Sequence, residues 1–436
     1  MKRTVGLVMV VALLIAAFGG MAVQAQDMMA CPEGEASIVI AAGAVGVEFE
    51  LVQEQADRYM AMCPNITVSL LETPDLATDR LGLYQQFWEA QTADVDIYQT
   101  DVIWAGIIAE HMIDLNEYAP EGYFDQFFPA MVAGQNIDGR QVAIPWFTDA
   151  AGLYYRTDLL EKYGFDAPPA TWDELTEMAQ VIQDGERAAG NSEFFGFVWQ
   201  GNAYEGLTCD AHEWLVSETG ETFISPTGEV NVNNPAFISA LERAAGWVGT
   251  ISPTGVTTYG EEDSRAVWQA GNAAFMRNWP YAYGLGNAEG SAVAGLFDYA
   301  PLPMGAVTAA ACLGGWQLAV SRYSANPEAA ASVALFLASY EEQKLRALSP
   351  QGANPTIPAL YDDPELVEAN PLFARMGPIL ATAYPRPSGI TAARYNDASV
   401  IFFSGVHSVL TGTTDAQTAV EDMELDLQDL LEDMGM

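Results

Sequence analysis

Aromatic residues that could hold a small ligand are concentrated in two short blocks of this chain. RNWPYAY spans residues 277–283 and LGGWQLAVS spans residues 313–321. Rings in turns rich in glycine and proline are expected near the surface, because turns run over the outside of a fold. Trp279, Tyr281 and Trp316 could therefore stack on the apolar faces of a sugar. The alternative for each ring is burial in the core, which we expect for most other tryptophans.

Charged residues supply the second part of this chemistry. The candidates are Glu48, Asp79, Arg80, Asp101, Asp149 and Arg386. A single acidic residue in so acidic a chain is expected to be solvated surface, but position favours three of them. Glu48 opens a helix after the first predicted strand, Asp101 follows the third strand, and Asp149 lies in an aromatic extended segment. Carboxylates that accept hydrogen bonds from sugar hydroxyls contribute about 1.5–3 kcal/mol each, and arginine adds a fixed fork of donors.

No metal or cofactor chemistry is indicated. His111, His212 and His407 are isolated, without the spacing of a zinc site, and we expect them to be structural or solvent-facing. GLGNAEG at residues 284–290 does not match the G-x-G-x-x-G pattern of a dinucleotide loop. The sequence also contains no P-loop and no G-x-S-x-G nucleophile elbow. We therefore predict neither a metal nor a cofactor.

The charge of the chain excludes one class of partner. Seventeen basic and 58 acidic residues give a net charge of −41, while 50% hydrophobic residues argue against disorder. Affinity for nucleic acid depends on neutralising phosphates, which such a surface cannot do. Anionic membrane surfaces are disfavoured for the same reason. The charge is best interpreted as a solubility feature.

The N-terminus has the pattern of a secretion signal. Lys2 and Arg3 precede an apolar run at residues 5–18, and Val23-Gln24-Ala25 offers a small-x-small cleavage site. We predict cleavage after Ala25, which makes residues 1–25 a signal peptide and leaves a soluble exported protein. The alternative is a lipid anchor at Cys31, with the preceding Met-Met-Ala as a degenerate lipobox.

Three short β-like runs with helical segments between them predict an α/β fold. The runs are SIVIAA (37–42), ITVSLL (66–71) and DVDIYQ (94–99). A spacing of about 30 residues is typical of parallel strands joined by right-handed helical crossovers. Ligands of such sheets bind beyond the carboxyl ends of the strands, where Gly43, Glu48 and Asp101 fall.

The remaining pattern predicts two lobes. Roughly 410 mature residues exceed what one hydrophobic core usually serves. Residues 142–156 and 297–305 are extended segments without helical periodicity, as expected where a chain crosses between lobes. A capping box from Thr171 to Glu174 opens a helix that continues to about Arg187.

Four cysteines in an exported chain predict disulfides rather than thiol chemistry. Cys31 and Cys63 each precede a predicted strand, so neighbouring parallel strands would bring both thiols to one sheet edge. Cys209 and Cys312 then remain as a second pair by elimination. A bond between them would restrain hinge motion if they lie in different lobes.

Several long blocks resemble the trehalose/maltose-binding proteins of bacterial and archaeal ABC sugar importers. They are AAGAVGVEFE, DVDIYQTDVIWAGIIAEHMIDL, VAIPWFTDAAGLYYRTDLLEKYG, GFVWQGNAYEGLTC, FMRNWPYAY and LGGWQLAVS. The resemblance covers nearly the whole mature chain. It implies two lobes, each a mostly parallel sheet flanked by helices, with the ligand between them. The lobes would comprise 26–148 with 299–340 and 149–298 with 341–436, joined by hinge segments near 148–152, 298–302 and 339–344.

The resemblance also implies a set of ligand contacts. Matched by motif, they are Glu48, Arg80, Asp101, Phe147, Asp149, Trp279, Tyr281, Gly315, Trp316 and Arg386. Phe147 departs from the pattern, because it lacks the hydroxyl that a tyrosine would offer there. The local sequence GAVGVE also differs beside Glu48, which affects the choice of disaccharide.

The resulting hypothesis is a monomeric, exported solute-binding protein, periplasmic or at the cell surface, that delivers an α-glucoside to an ABC permease. We expect trehalose, with maltose, sucrose or a longer maltodextrin as alternatives, and membrane contact through the permease or a lipid anchor. A different class of function is an exported glycoside hydrolase that uses a carboxylate pair such as Asp101 and Asp149. Such enzymes need a raised-pKa acid and a second carboxylate at a defined separation, and the sequence shows no dedicated pair.

Overall fold

A computed structural model describes residues 30–370, 372–380 and 382–436. The predicted signal peptide lies outside the described residues, as do the two methionines of the alternative lipobox. In the part of the chain that is described, no helix combines the length and the hydropathy that crossing a bilayer would require.

Two sheets form the centres of two lobes. The strands in chain order are β1 (Ala36–Ala42), β2 (Ile66–Glu72), β3 (Ile97–Asp101), β4 (Asn136–Ile137), β5 (Arg140–Gln141), β6 (Ile144–Ala150), β7 (Gly152–Arg156), β8 (Phe195–Val198), β9 (Ala273–Asn278), β10 (Phe297–Ala300), β11 (Ala311–Val320), β12 (Asn354–Pro355) and β13 (Ala383–Tyr384). The first sheet has the order β12-β6-β11-β3-β1-β2, with β13 beside β11. The second has the order β10-β7-β9-β8, and β4 pairs with β5 separately.

Helices cover both sheets. They are α1 (Glu48–Met62), α2 (Ala77–Glu89), α3 (Ala105–Ile108), α4 (Pro129–Gly134), α5 (Thr157–Tyr163), α6 (Trp172–Ala188), α7 (Glu205–Thr219), α8 (Pro235–Trp247), α9 (Glu261–Gln269), α10 (Tyr281–Gly286), α11 (Pro327–Leu337), α12 (Tyr340–Leu348), α13 (Pro364–Ala369), α14 (Phe373–Leu380), α15 (Ser388–Thr391), α16 (Tyr395–Leu410) and α17 (Ala416–Asp433).

Local sequence explains why the main elements form. In α1 the apolar side chains recur at helical spacing, so Leu51, Val52, Ala56 and Tyr59 are buried on one face. The predicted capping box at the start of α6 is present in part. The Thr171 hydroxyl accepts from the backbone N–H of Glu174 at 3.2 Å, but the Glu174 carboxylate accepts from the N–H of Ala170 at 2.7 Å instead of that of Thr171. That helix begins one residue after the cap, as expected.

Strand directions are more mixed than the mostly parallel sheets that we expected. Strands β1, β2 and β3 are parallel, but β11 runs antiparallel to both β3 and β6. In the second sheet β7 is antiparallel to both of its neighbours, and only the β8–β9 pair is parallel. The reason is that β7 and β11 each enter their sheet directly from a strand of the other lobe, β6 and β10, and not through the helical crossover that joins parallel neighbours of one sheet.

Two of the three expected crossings lie in the predicted segments or next to them. Strand β6 belongs to the first sheet and β7 to the second, so the chain crosses within the extended segment 142–156. It returns between β10 and β11, slightly later than the predicted segment 298–302.

The third crossing differs from the expectation at 339–344. Helix α12 and the residues that follow it pack on the first lobe, where Ala347, Ile357 and Leu366 belong to its core. The side chain of Gln343 fixes this segment, because it donates to the Thr356 hydroxyl at 2.9 Å and accepts from the Thr356 N–H at 2.8 Å. The chain joins the second core only after residue 370.

The four cysteines have two different fates. Cys31 and Cys63 form a disulfide that joins the segment before β1 to the end of α1. The expected bond between Cys209 and Cys312 is absent, and both are buried free thiols. Burial raises the pKa of the Cys209 thiol well above its ordinary value, and the neighbouring Cys312 thiol adds to the rise. A disulfide requires the two sulfur atoms to approach to about 2 Å. The two thiols are buried without forming that bond.

The Cys31–Cys63 bond gives a test of the first lobe. Replacing both cysteines by serine should lower the free energy of unfolding by about 3 kcal/mol, because the bond closes a loop and restricts the unfolded chain. Urea titration of the variant and the parent measures the difference. Adding dithiothreitol should weaken the parent to the same level and leave the variant unchanged. An unaltered urea midpoint in the variant would contradict the assignment.

Candidate functional site

A cleft lies between the two lobes. Nine of the ten predicted ligand contacts line it, namely Glu48, Asp101, Phe147, Asp149, Trp279, Tyr281, Gly315, Trp316 and Arg386. The tenth, Arg80, lies directly behind Trp316. Asp79, which was a candidate on position alone, is exposed on α2 and is not part of the described lining.

Strand pairing brings the residues of the first lobe together. Trp316 on β11 is opposite Asp101 on β3 and opposite Phe147 on β6, and Asp149 is opposite Gly314. All of these positions lie at the end of the sheet where the parallel strands finish, which is where ligands of α/β sheets bind. Residues distant in the sequence therefore share one wall of the cleft.

Glu48 and Arg80 meet over the end of β1. The Gly43 N–H donates to the Gln99 side-chain oxygen at 2.8 Å, and the Gln99 amide donates to Glu48 Oε2 at 3.2 Å. A Cβ atom on Gly43 would lie 2.5 Å from Arg80 Nη2 and 2.6 Å from Glu48 Oε2. Glycine is therefore required here, because any larger residue would displace both charged groups.

Arg80 offers unused donors in a dry place. Its side chain is fully buried, its guanidinium carbon lies 4.2 Å from the centre of the Trp316 ring, and its Nε donates to the Pro74 carbonyl at 3.0 Å. Nη1 and Nη2 have no hydrogen-bond partner among the described residues. A buried donor without a partner costs about 1–3 kcal/mol. Unpaired donors at this position are expected if the guanidinium binds a ligand oxygen.

The second lobe presents Trp279 and Tyr281 in fixed orientations. The indole N–H of Trp279 donates to Glu261 Oε1 at 3.3 Å, and its carbonyl accepts from the Tyr154 hydroxyl at 2.7 Å. Tyr281 donates its hydroxyl to Glu262 at 2.5 Å. Because their polar atoms are already engaged, these two residues offer mainly their rings to the cleft.

Arg386 joins the two lobes. Its Nη1 donates to Glu205 Oε1 of α7 at 2.6 Å, and its Nη2 donates to Asp101 Oδ1 of β3 at 3.1 Å. The Glu205 N–H also donates to the Thr78 hydroxyl of the first lobe at 3.0 Å. These contacts require closed lobes, so Arg386 bridges the lobes here in addition to lining the cleft.

Sequence reasoning missed several cleft residues, of which Glu205 and Glu261 are the most informative. Glu205 is the first residue of α7 and Glu261 is the first residue of α9, just as Glu48 is the first residue of α1. The positive end of a helix dipole favours a carboxylate at that position. An acidic residue at the first position of a helix was therefore the signal that could have identified them.

Burial changes the protonation of the cleft. It raises the pKa of Asp149 to about 7, with the negative charge of Glu48 as a second cause and Arg346 acting in the opposite direction. Burial also raises the pKa values of Glu48, Glu205 and Glu261. Closing the lobes therefore concentrates acidic groups that would repel one another if all were ionised in the same small volume.

Among the described residues, no group of three or more His, Cys, Asp and Glu side chains is arranged to hold a metal ion. The histidines have other surroundings. His111 stacks on Trp88, His212 is buried in α7, and His407 contacts the carbonyl of Thr257.

Comparison with known proteins gives one family and close relatives. The family described as bacterial extracellular solute-binding protein matches residues 43–344. A probable ABC transporter-binding protein of Deinococcus radiodurans is 46% identical over 389 residues, which is 89% of this chain and 92% of that protein. Maltose-bound MalE3 of T. maritima has a TM-score of 0.85 at 40% identity, over 91% of this chain and 100% of that chain.

A more distant structure shares the fold alone. An ABC transporter solute-binding protein of Thermotoga lettingae TMO, bound with α-D-tagatose, has a TM-score of 0.81 at 22% identity, over 91% of this chain and 100% of that chain. The two-lobed α/β architecture is thus common to relatives of different sequence.

The pKa of Asp149 gives a pH test. Between its ordinary value of 3.8 and about 7, the folded state binds more protons at this carboxyl than the unfolded state does. The contribution of Asp149 to the free energy of unfolding therefore falls as the pH rises through this window. Asp149→Asn should be more stable than the parent at pH 8 by at most about 4 kcal/mol, with no such advantage near pH 4.

Urea titrations of both proteins at the two pH values measure this difference. Asp79→Asn, at an exposed position on α2, is the matched control and should show no pH-dependent gain. Equal stability of the Asp149 variant and the parent at pH 8 would contradict the assigned protonation.

Proposed function

This chain belongs to the bacterial extracellular solute-binding protein family, and we propose that its cleft captures an α-linked glucose disaccharide. Its family and relatives make it the sugar-binding component of an ABC importer, with permease subunits as partners, rather than an enzyme. We further propose that the exported protein acts as a soluble monomer after cleavage at Ala25.

The pairing of tryptophans from opposite lobes carries this proposal. Trp316 belongs to the first sheet and Trp279 follows the last residue of β9 in the second, and both line the same cleft. Indole rings on two sides can cover the apolar faces of two pyranose units, while the carboxylates of both lobes accept from hydroxyl groups. The complete set of contacts exists only when the lobes are closed, so binding favours closure.

The charges of the cleft support a neutral ligand. Six carboxylates line it, those of Glu48, Asp75, Asp101, Asp149, Glu205 and Glu261, and Arg386 is the arginine of the described lining. Both terminal nitrogens of its guanidinium are already paired with carboxylates. A phosphate or carboxylate on the ligand would meet repulsion of about 3 kcal/mol for each like charge roughly 5 Å away. A neutral sugar is therefore favoured over sugar phosphates and uronic acids.

Trehalose remains the disaccharide that we propose first, and maltose is the alternative raised by the maltose-bound relative. Phe147 lines the cleft without a hydroxyl, so hydrogen bonding on that side depends on Glu48, Asp149 and the free donors of Arg80. Stacking rings accept many pyranosides, and the position of these polar groups selects among their linkages.

Calorimetry with trehalose, maltose, sucrose and trehalose 6-phosphate tests the proposal. We expect heat from at least one neutral disaccharide and none from the phosphate, together with a smaller radius of gyration on binding. Trp279→Ala and Trp316→Ala should each weaken binding by about 30-fold or more, as is typical of buried aromatic anchors.

Asp79→Asn is again the control, because Asp79 lies on the same helix as Arg80 but faces solvent. It should bind with the affinity of the parent. Absence of heat and of closure with every neutral disaccharide would refute the proposal. Release of free glucose from trehalose would instead support the hydrolase alternative.

A further inference from the structure

Three of the aromatic residues that line the cleft have a buried guanidinium on the ring. The pairs, with the distance from the guanidinium carbon to the ring centre, are Arg80 on Trp316 at 4.2 Å, Arg277 on Trp279 at 4.4 Å, and Arg346 on Phe147 at 4.6 Å. The chain has 17 basic residues for 58 acidic ones, so the burial of three arginines at these positions needs an explanation.

The surroundings of Arg346 differ from those of the other two. Arg277 is satisfied by Glu213 and Gln200, and Arg80 belongs to the proposed ligand contacts. Arg346 lies on α12, is 3% exposed, and stands behind the cleft wall rather than in its described lining. Its guanidinium also covers the ring of Trp146 at 4.1 Å.

Hydrogen bonding does not explain why an arginine is buried there. Nη1 donates to the Gln55 side-chain oxygen at 3.3 Å, but Nε and Nη2 have no partner among the described residues. No carboxylate of the described chain comes within salt-bridge distance of this guanidinium. Burial lowers the pKa of Arg346 to about 10, against the opposing influence of Glu48 and Asp149. A well-packed apolar side chain is often at least as stable as such a buried charge.

The charge of Arg346 acts on the carboxylates of Glu48 and Asp149, and both of these line the cleft. Asp149 faces Glu48 from α1, Asp101 from β3 and Arg346 from α12, so Arg346 is the cation among these neighbours. Phe147 lies between the guanidinium and the cleft, because it contacts Arg346 and lines the cleft.

We propose that Arg346 is a positioning residue for sugar binding, acting through Phe147 and through the carboxylates of Glu48 and Asp149. This inference rests on the proposed function. Stacking holds the Phe147 ring against the ligand. The positive charge opposes the rise in pKa that burial causes at Glu48 and Asp149, so a larger fraction of each carboxyl is ionised and accepts hydrogen bonds. The cleft thereby gains a cation that occupies none of the space intended for the ligand.

The sign of the pH effect follows from this arrangement. Asp149 has a pKa of about 7 with Arg346 in place, and removing the positive charge raises it further. Binding that uses the carboxylate is lost as the pH falls through that pKa. Without Arg346 the loss therefore occurs at a higher pH, and affinity partly recovers in more alkaline solution.

Arg346→Met and Arg346→Lys test the proposal, with affinity for the best neutral disaccharide measured by calorimetry between about pH 6 and pH 9. Arg346→Met should bind about fivefold more weakly at pH 7, because a rise of one unit in the pKa of Asp149 lowers its ionised fraction from about one half to about one tenth, and should regain part of this loss at pH 9. Its urea midpoint should be equal to or higher than that of the parent. Arg346→Lys should retain the pH profile of the parent, because it retains the charge.

Arg58→Met is the matched control. Arg58 pairs with Glu342 on the same helix as Arg346, but it is not part of the described cleft lining. This variant should bind sugar like the parent. Unchanged affinity and pH profile in Arg346→Met would overturn the inference, and so would a loss of affinity accompanied by a lower urea midpoint. If the parent itself binds no sugar, the proposed function fails instead.

Discussion

Burying acidic groups from two lobes in one closed cleft is the constraint on which this structure depends. The lobes contribute Asp101 and Glu205, which would repel each other without compensation, and Arg386 pairs with both. Helix N-termini add a weaker favourable field at Glu48 and Glu205. Closure is therefore an electrostatic balance as well as a fit of shapes. Small changes in ligation or protonation can shift that balance between the open and closed forms.

The aromatic walls depend on the close approach of backbone and rings at two glycines of β11. Trp279 packs against the backbone of β11, since a Cβ on Gly314 would lie 3.0 Å from its ring. Gly315 has a φ of +134° and lies beside Phe147 and Thr148 of β6, where a Cβ would come within 2.6 Å of a backbone oxygen. Glycine at both positions lets the strand and the rings approach closely. Gly315 thus supports the shape of the site, whatever contact it also makes with a ligand.

Local sequence patterns predicted much of the fold. The expected strands 37–42 and 66–71 correspond to β1 and β2 within one residue, whereas the third begins at Ile97 rather than residue 94. The extended aromatic segment 142–156 was identified because it lacks helical periodicity. The third crossing was misplaced, because α12 has the pattern of an ordinary amphipathic helix. No local sequence feature indicates which lobe the apolar face of α12 will cover.

The sequence by itself determined the class of the protein, the ends of the first strands, and residue types suited to a neutral polyhydroxylated ligand. Tertiary structure alone decided which residues share a surface. Arg346 follows Glu48 by almost three hundred positions, and its charge matters because α12 packs behind Phe147. Cys209 and Cys312 likewise meet as free thiols through the packing of α7 against β11. Contacts between residues so far apart in the sequence depend on long-range packing. The hydrophobic periodicity and the composition of the chain do not encode that packing.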